Sequence, residues 1–146
     1  TMSEEHRYKM TTRVLKPMFV GVDIEGMDEF EVTSSQDWWP DAPEGKFSPQ
    51  TLLVASSGSC FILSFFKAAK SLRVEANNVE VVAEGIMVED GPVWRFGEMH
   101  LDVKVHISAD ENKDKIERAI DLGHKSCPIA NTLKCPTKLH YEIIVE

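Results

Sequence analysis

Two cysteines sit where a thiol could do chemistry. Cys60 lies inside a long apolar run, Leu52 to Phe66, that opens with Ser48-Pro49. Read as a helix, the run places Ser56, Cys60, Ser64, Lys67 and Ser71 on one polar stripe of a surface otherwise built for burial. A purely structural cysteine would more naturally face the Phe and Leu side, so the placement points to a reactive thiol. The thiolate is the nucleophilic form, and a free cysteine has a pKa of about 8.5. Ser48 lies twelve residues before Cys60, and the helix dipole fades within the first turn. Activation of Cys60 therefore needs a cation supplied by the fold, with Arg7, Arg13, Lys16 and Lys67 as candidates. Cys127 has His124 and Lys125 in the same last turn of a second helix, where His124 could serve the thiol or simply complement the helix C-terminus.

Other chemistries fit less well. His124, Cys127 and Cys135 form H-x2-C-x7-C, with Cys60 as a conceivable fourth ligand, but this spacing matches no common zinc pattern. Ser56-Ser57-Gly58-Ser59 lies within the helix and lacks the G-x-S-x-G elbow of a serine hydrolase.

The elements that must position these thiols follow from the change of period along the chain. Tyr8 to Val14, Met18 to Ile24 and Phe30 to Thr33 read as strands, with Gly26 supplying a turn. A loop rich in turn formers and aromatics follows, with Trp38-Trp39-Pro40 and Pro43-Glu44-Gly45. Ser48 is a good N-cap and Pro49 a good first helical residue, so the long helix is expected to start there and fade near Ser71 to Arg73. Val79 to Glu89 and Val93 to Ser108 read as strands joined at Gly91-Pro92. In the second of these, His100, Asp102, Lys104 and His106 face water and Leu101, Val103, Val105 and Ile107 the core. Asp110 is expected to cap a second helix with Ile116, Ala119, Ile120, Gly123 and Cys127 facing inward, ending near Cys127 because Pro128 follows. Lys138 to Glu146 alternates again, with Leu139, Tyr141, Ile143 and Val145 on one face. The order defines an α+β domain, expected to be one unit over residues 1–146.

The long helix is apolar almost all round between Phe61 and Ala69, and such a helix must be covered on every side. A second subunit is the simplest cover, so an obligate homodimer is expected, with Cys60 near the subunit boundary. Sixteen basic against twenty-four acidic residues give a net charge of −8 over 146 residues. With no concentrated basic patch, this argues against nucleic acid or an anionic membrane surface as partner. Three separated cysteines do not read as a secreted disulfide framework. The opening residues carry no apolar leader, and the apolar run, interrupted by Ser56 to Ser59, falls short of the roughly 20 residues that span a bilayer. A cytoplasmic protein is expected.

Ser48-Pro49-x-x-Leu52 followed by Ser59-Cys60-Phe61, and then Cys127-Pro128-Ile129-Ala130-Asn131-Thr132, resembles the OsmC/Ohr family of osmotically induced and organic-hydroperoxide-resistance proteins. The likeness covers nearly the whole chain, with the two cysteines 67 residues apart. It implies an OsmC-like α+β fold, with antiparallel sheets wrapped around long central helices in an intertwined homodimer. It also implies that Cys60 attacks a peroxide O–O bond and becomes a sulfenic acid, that Cys127 condenses with it to a disulfide, and that a dithiol reductant reopens the bond. No cofactor or metal is implied. Organic hydroperoxides would be held in an apolar pocket, for which Phe61, Phe65, Trp38 and Trp39 are candidate linings. Where the family commonly has a Glu paired with an Arg from the first strands, this chain has Gln50. Arg13 lies in the right region for the cation, with Lys16 as a rival, and Cys135 matches no family role. The leading reading is therefore a hydroperoxide reductase. Its rivals are a dimer that binds a small acyl or thiol ligand and an interaction domain with inert thiols.

Overall fold

The computed structural model describes residues 4–146, and the chain forms two compact units, one up to Leu52 and one spanning Leu53–Glu146. In the first, β1 (Thr11–Lys16), β2 (Phe19–Asp23) and β3 (Phe30–Thr33) form an antiparallel meander in the order β1-β2-β3. Val22 and Val32 are its buried apolar side chains, and T-shaped pairs of Phe19 with Trp39 and Phe30 with Phe47 fix the loop that follows. All six residues of β1 are exposed.

Ser48 then caps α1 (Pro49–Leu72): its Oγ accepts from the Thr51 amide at 3.1 Å, and Pro49 takes the first helical position, as expected. Against expectation, the serines do not shorten the apolar stretch. Ser56 and Ser57 donate to the Leu53 carbonyl at 2.8 and 3.3 Å, and Ser59 donates to that of Ala55 at 2.9 Å. Each hydroxyl is thereby satisfied by its own helix. The result is a 24-residue helix that by length and composition could cross a bilayer. Here Phe61, Phe65 and Ala69 bury one face of it in a core, and a core helix passes the same test.

That core belongs to the second unit. β4 (Asn78–Asp90) and β5 (Val93–Ile107) form a long hairpin, with Gly91 at φ +61° opening its two-residue loop. Leu101, Val103, Val105 and Ile107 are almost fully buried against Phe61, Phe65 and the inward face of α2 (Lys113–Ser126). Gly58 lies close to the sheet: a Cβ there would stand 3.4 Å from the Ala83 methyl. The cap of α2 is Asn112 rather than Asp110, with its Oδ1 accepting from the Lys115 amide at 3.1 Å. Asp110 falls in the preceding turn, where Glu111 accepts from the amides of Glu75 and Asn112.

After α2 come α3 (Pro128–Thr132) and β6 (Thr137–Val145). The two helices carry the chain back over the sheet, so β6 pairs with β5 in parallel and the second sheet is mixed where an antiparallel one was expected. As an edge strand, β6 buries Leu139 and Ile143 only in part and leaves Tyr141 and Val145 exposed. The wet side of β5 is as expected, with His100 paired to Glu98 at 2.6 Å and His106 to Glu146 at 2.7 Å.

Candidate functional site

Three free thiols occur, Cys60 half-buried and Cys127 and Cys135 buried. Cys60 and Cys127 meet because of Gly123. A Cβ on Gly123 would lie 2.9 Å from both the Cα and the amide nitrogen of Phe65, so the backbones of α1 and α2 touch there without an intervening side chain. One turn further along α2 stands Cys127, and about a turn and a half back along α1 stands Cys60. The Cys60 thiol lies near enough to Cys127 to act on its protonation.

Pro128 sets the orientation of Cys127. It opens α3 and pushes the residue before it out of the helical region, leaving Cys127 extended at φ −64°, ψ 113°. The side chain is 1% exposed. Burial pushes the Cys127 thiol above the usual cysteine range and the neighbouring Cys60 thiol adds to this, while the nearby amides of Ala130 and Ile129 offset part of it.

Cys60 opens into a groove of about 470 Å³. Ser64, Lys67 and Ser71 continue the polar stripe along its wall, and Leu63, Ala68 and Leu122 give it an apolar lining. Ser126 and Pro128 bring the α2–α3 junction to its rim. Lys67 is the cation that the groove itself presents. Phe61 and Phe65, candidate pocket residues from the sequence, instead lie in the core at 0% exposure. Trp39 packs edge-on against Phe19 in the N-terminal unit, and Trp38 is half exposed.

The other candidate residues are placed as follows. Arg13, on β1, makes a two-pronged pair with Glu29, with contacts of 2.8 to 3.0 Å. Gln50 lies in the first turn of α1 with its Oε1 buried and without a hydrogen-bond partner among the described residues. Arg7 pairs with Glu5 at 2.8 Å, and Lys16 stands 4.5 Å over the Phe19 ring. Cys135 is buried just ahead of β6, and His124 is in the last turn of α2. Sequence reasoning missed Leu63, Leu122 and Ser126 as groove residues. Leu122 and Ser126 share one face of α2 at i and i+4, and that spacing was the available signal.

The chain is thus a mixed α+β fold in which a cysteine on the long helix lies near a second cysteine at a Cys-Pro helix junction. Residues 42–142 match the sequence profile described as OsmC-like protein, and the chain belongs to the OsmC family. Among solved structures, an OsmC-like protein of unknown function from Vibrio cholerae matches with a TM-score of 0.84 at 17% identity, covering 94% of this chain and 100% of that one. An organic hydroperoxide resistance protein from Legionella pneumophila matches at 0.73 and 14%, covering 97% and 100%. The Bacillus subtilis organic hydroperoxide resistance protein OhrB matches at 0.70 and 19%, covering 94% and 98%. At these identities the likeness establishes the fold. No curated protein sequence matches the chain.

Proposed function

We propose that residues 1–146 act as one OsmC-like domain that reduces organic hydroperoxides with its own thiols. The observation that carries this reading is the close approach of α1 and α2 at Gly123, which brings Cys127 near Cys60 where Cys60 opens into an apolar groove. The Cys60 thiolate attacks the terminal peroxide oxygen; the O–O bond breaks, and the alkoxide takes a proton and leaves as an alcohol. Cys60 is then a sulfenic acid. The Cys127 sulfur attacks the Cys60 sulfur, a disulfide forms, and the hydroxyl departs as water. A dithiol reductant exchanges with the disulfide, is itself oxidised, and returns both cysteines to thiols.

Several features support the assignment of roles. Cys60 is the more accessible of the two thiols and faces the groove, which suits the attacking sulfur. Cys127 is buried behind it, which suits a residue that acts only after Cys60 is oxidised. Lys67 could stabilise negative charge developing in the groove. Arg13 and Gln50 remain in the proposal as the positions that match the family's cation and its partner. Solved structures of like fold include proteins named for organic hydroperoxide resistance. We further propose a homodimer, since α1 exposes Leu63 and Phe66 and β1 exposes Val14 on a single chain, and a cytoplasmic location, since three separated cysteines do not read as a secreted disulfide framework.

A second reading, a dimer that binds a small acyl or thiol ligand in the same groove, is favoured by Gln50, which cannot hold a cation by charge. One experiment separates the two. Reduced protein is mixed with an equimolar amount of cumene hydroperoxide and mapped by non-reducing mass spectrometry. The peroxidase reading expects a rapid stoichiometric Cys60–Cys127 link, no reaction in Cys60→Ser, and a trapped sulfenic acid in Cys127→Ser. Thiols that stay reduced in the folded protein would leave the ligand-binding reading.

A further inference from the structure

We propose that Asn131 is the positioning residue that holds Cys127 in place to close onto Cys60. The proposal rests on the disulfide-forming reading above. Its basis is a clamp at the junction of α2 and α3. The side-chain Nδ2 of Asn131 donates to the Lys125 carbonyl and to the Cys127 carbonyl, both at 2.9 Å. The Asn131 backbone amide donates to the same Cys127 carbonyl at 3.0 Å.

The junction needs such a clamp for a physical reason. A helix leaves its last carbonyls without intrahelical donors, and those of Lys125 and Cys127 stand at the end of α2. Pro128, the next residue, has no amide hydrogen to offer them. It also keeps Cys127 out of the helical region, so the ladder of α2 does not fix the peptide that carries the reactive side chain. Asn131 replaces that ladder. An asparagine amide has two N–H donors on one nitrogen, and here one goes to each side of the thiol-bearing residue. Fixing the Cys127 carbonyl from two directions fixes its peptide plane, and with it the direction of the Cα–Cβ–Sγ arm toward Cys60. Alanine removes the clamp. Aspartate keeps its shape but, when ionised, offers acceptors where donors are required. Thr132 is the matched control: its Oγ1 donates to the Pro128 carbonyl at 2.8 Å, an exposed side-chain bond in the same short helix that does not touch Cys127.

Wild type, Asn131→Ala, Asn131→Asp and Thr132→Val, each verified as folded by circular dichroism, are reduced and mixed with cumene hydroperoxide. Samples quenched over time are assayed for free Cys60, for sulfenic acid trapped by a dione probe, and for the Cys60–Cys127 link. All four are expected to consume the Cys60 thiol at the same rate. The two Asn131 variants are expected to accumulate sulfenic acid and close the disulfide about ten-fold more slowly or worse, since small misplacements of reacting groups cost this much. Thr132→Val should close as wild type does. Closure in Asn131→Ala at the wild-type rate overturns the proposal, as does an equal slowing in Thr132→Val. Equilibration with glutathione buffers gives a second readout without peroxide: the disulfide should be about ten-fold less favoured in both Asn131 variants. If wild type closes normally and the variants match it, only the role of Asn131 fails. If wild type forms a link with glutathione but none with peroxide, the peroxidase reading fails and the clamp is judged on the equilibrium alone. If wild type forms no link in either assay, both fail.

Discussion

Cys127 is proposed to react from a buried position, and reaction and burial make opposite demands on its thiol. Burial favours the neutral thiol, so its pKa in the folded protein lies above that of the unfolded chain. The sign of the resulting linkage is fixed. Below the ordinary thiol value of about 8.5 both states hold the proton, and the contribution to stability is fully present. As pH rises above that value the unfolded chain releases the proton while the folded one keeps it, and the contribution is lost progressively up to the folded pKa. Wild type is therefore expected to lose more stability than Cys127→Ala between pH 7.5 and pH 9.5. Urea denaturation of the two reduced proteins at both pH values checks this, and parallel losses would contradict it. The two cysteines and their Cys-Pro and Ser-Pro settings could be read from the residues alone. The clamp on Cys127 was less visible, because Asn131 acts on carbonyls of residues four and six positions earlier, and a donor of that kind has no sequence period.

At the scale of elements, the site depends on how closely two helices approach. Gly123 permits this, since any side chain there meets the backbone of Phe65 rather than a flexible group. Gly123→Ala is expected to destabilise the protein by about 1 to 3 kcal/mol through overpacking. It should also reduce the yield of the Cys60–Cys127 link, because the helices must separate at the point that brings the thiols together. Denaturant midpoints together with disulfide yield test this, and an unchanged yield in a destabilised protein would show that the thiols do not depend on this crossing. The elements themselves were largely legible. The hairpin of β4 and β5, the start of α1 at Ser48-Pro49 and the break at Cys127-Pro128 all carry strong local signals. The parallel pairing of β6 was not legible, since strand direction depends on where α2 and α3 return the chain. Nor was the uninterrupted length of α1, because serines that donate to their own helix read as polar in sequence yet behave as satisfied groups. Phe61 and Phe65 were read as candidate pocket residues, but apolar aromatics at helical spacing serve a core equally well.

For the molecule as a whole, the outer face of α1 is the unresolved demand. Leu63 is 70% exposed and Phe66 45%, on the helix that carries Cys60. On the homodimer proposal this face is covered by a second copy, and Leu63→Asp should shift the protein toward monomer in sedimentation velocity. If wild type sediments as a monomer at micromolar concentration, the dimer proposal fails. The 24-residue length of α1 then has a further consequence. On the homodimer proposal, a chain that has not met its partner leaves Leu63 and Phe66 in water on a helix with the length and greasiness of a membrane span. On the same proposal pairing would be part of maturation, and melting temperature should rise with protein concentration, as it does whenever folding and association are coupled. Dilution would then weaken the protein before any peroxide reaches it.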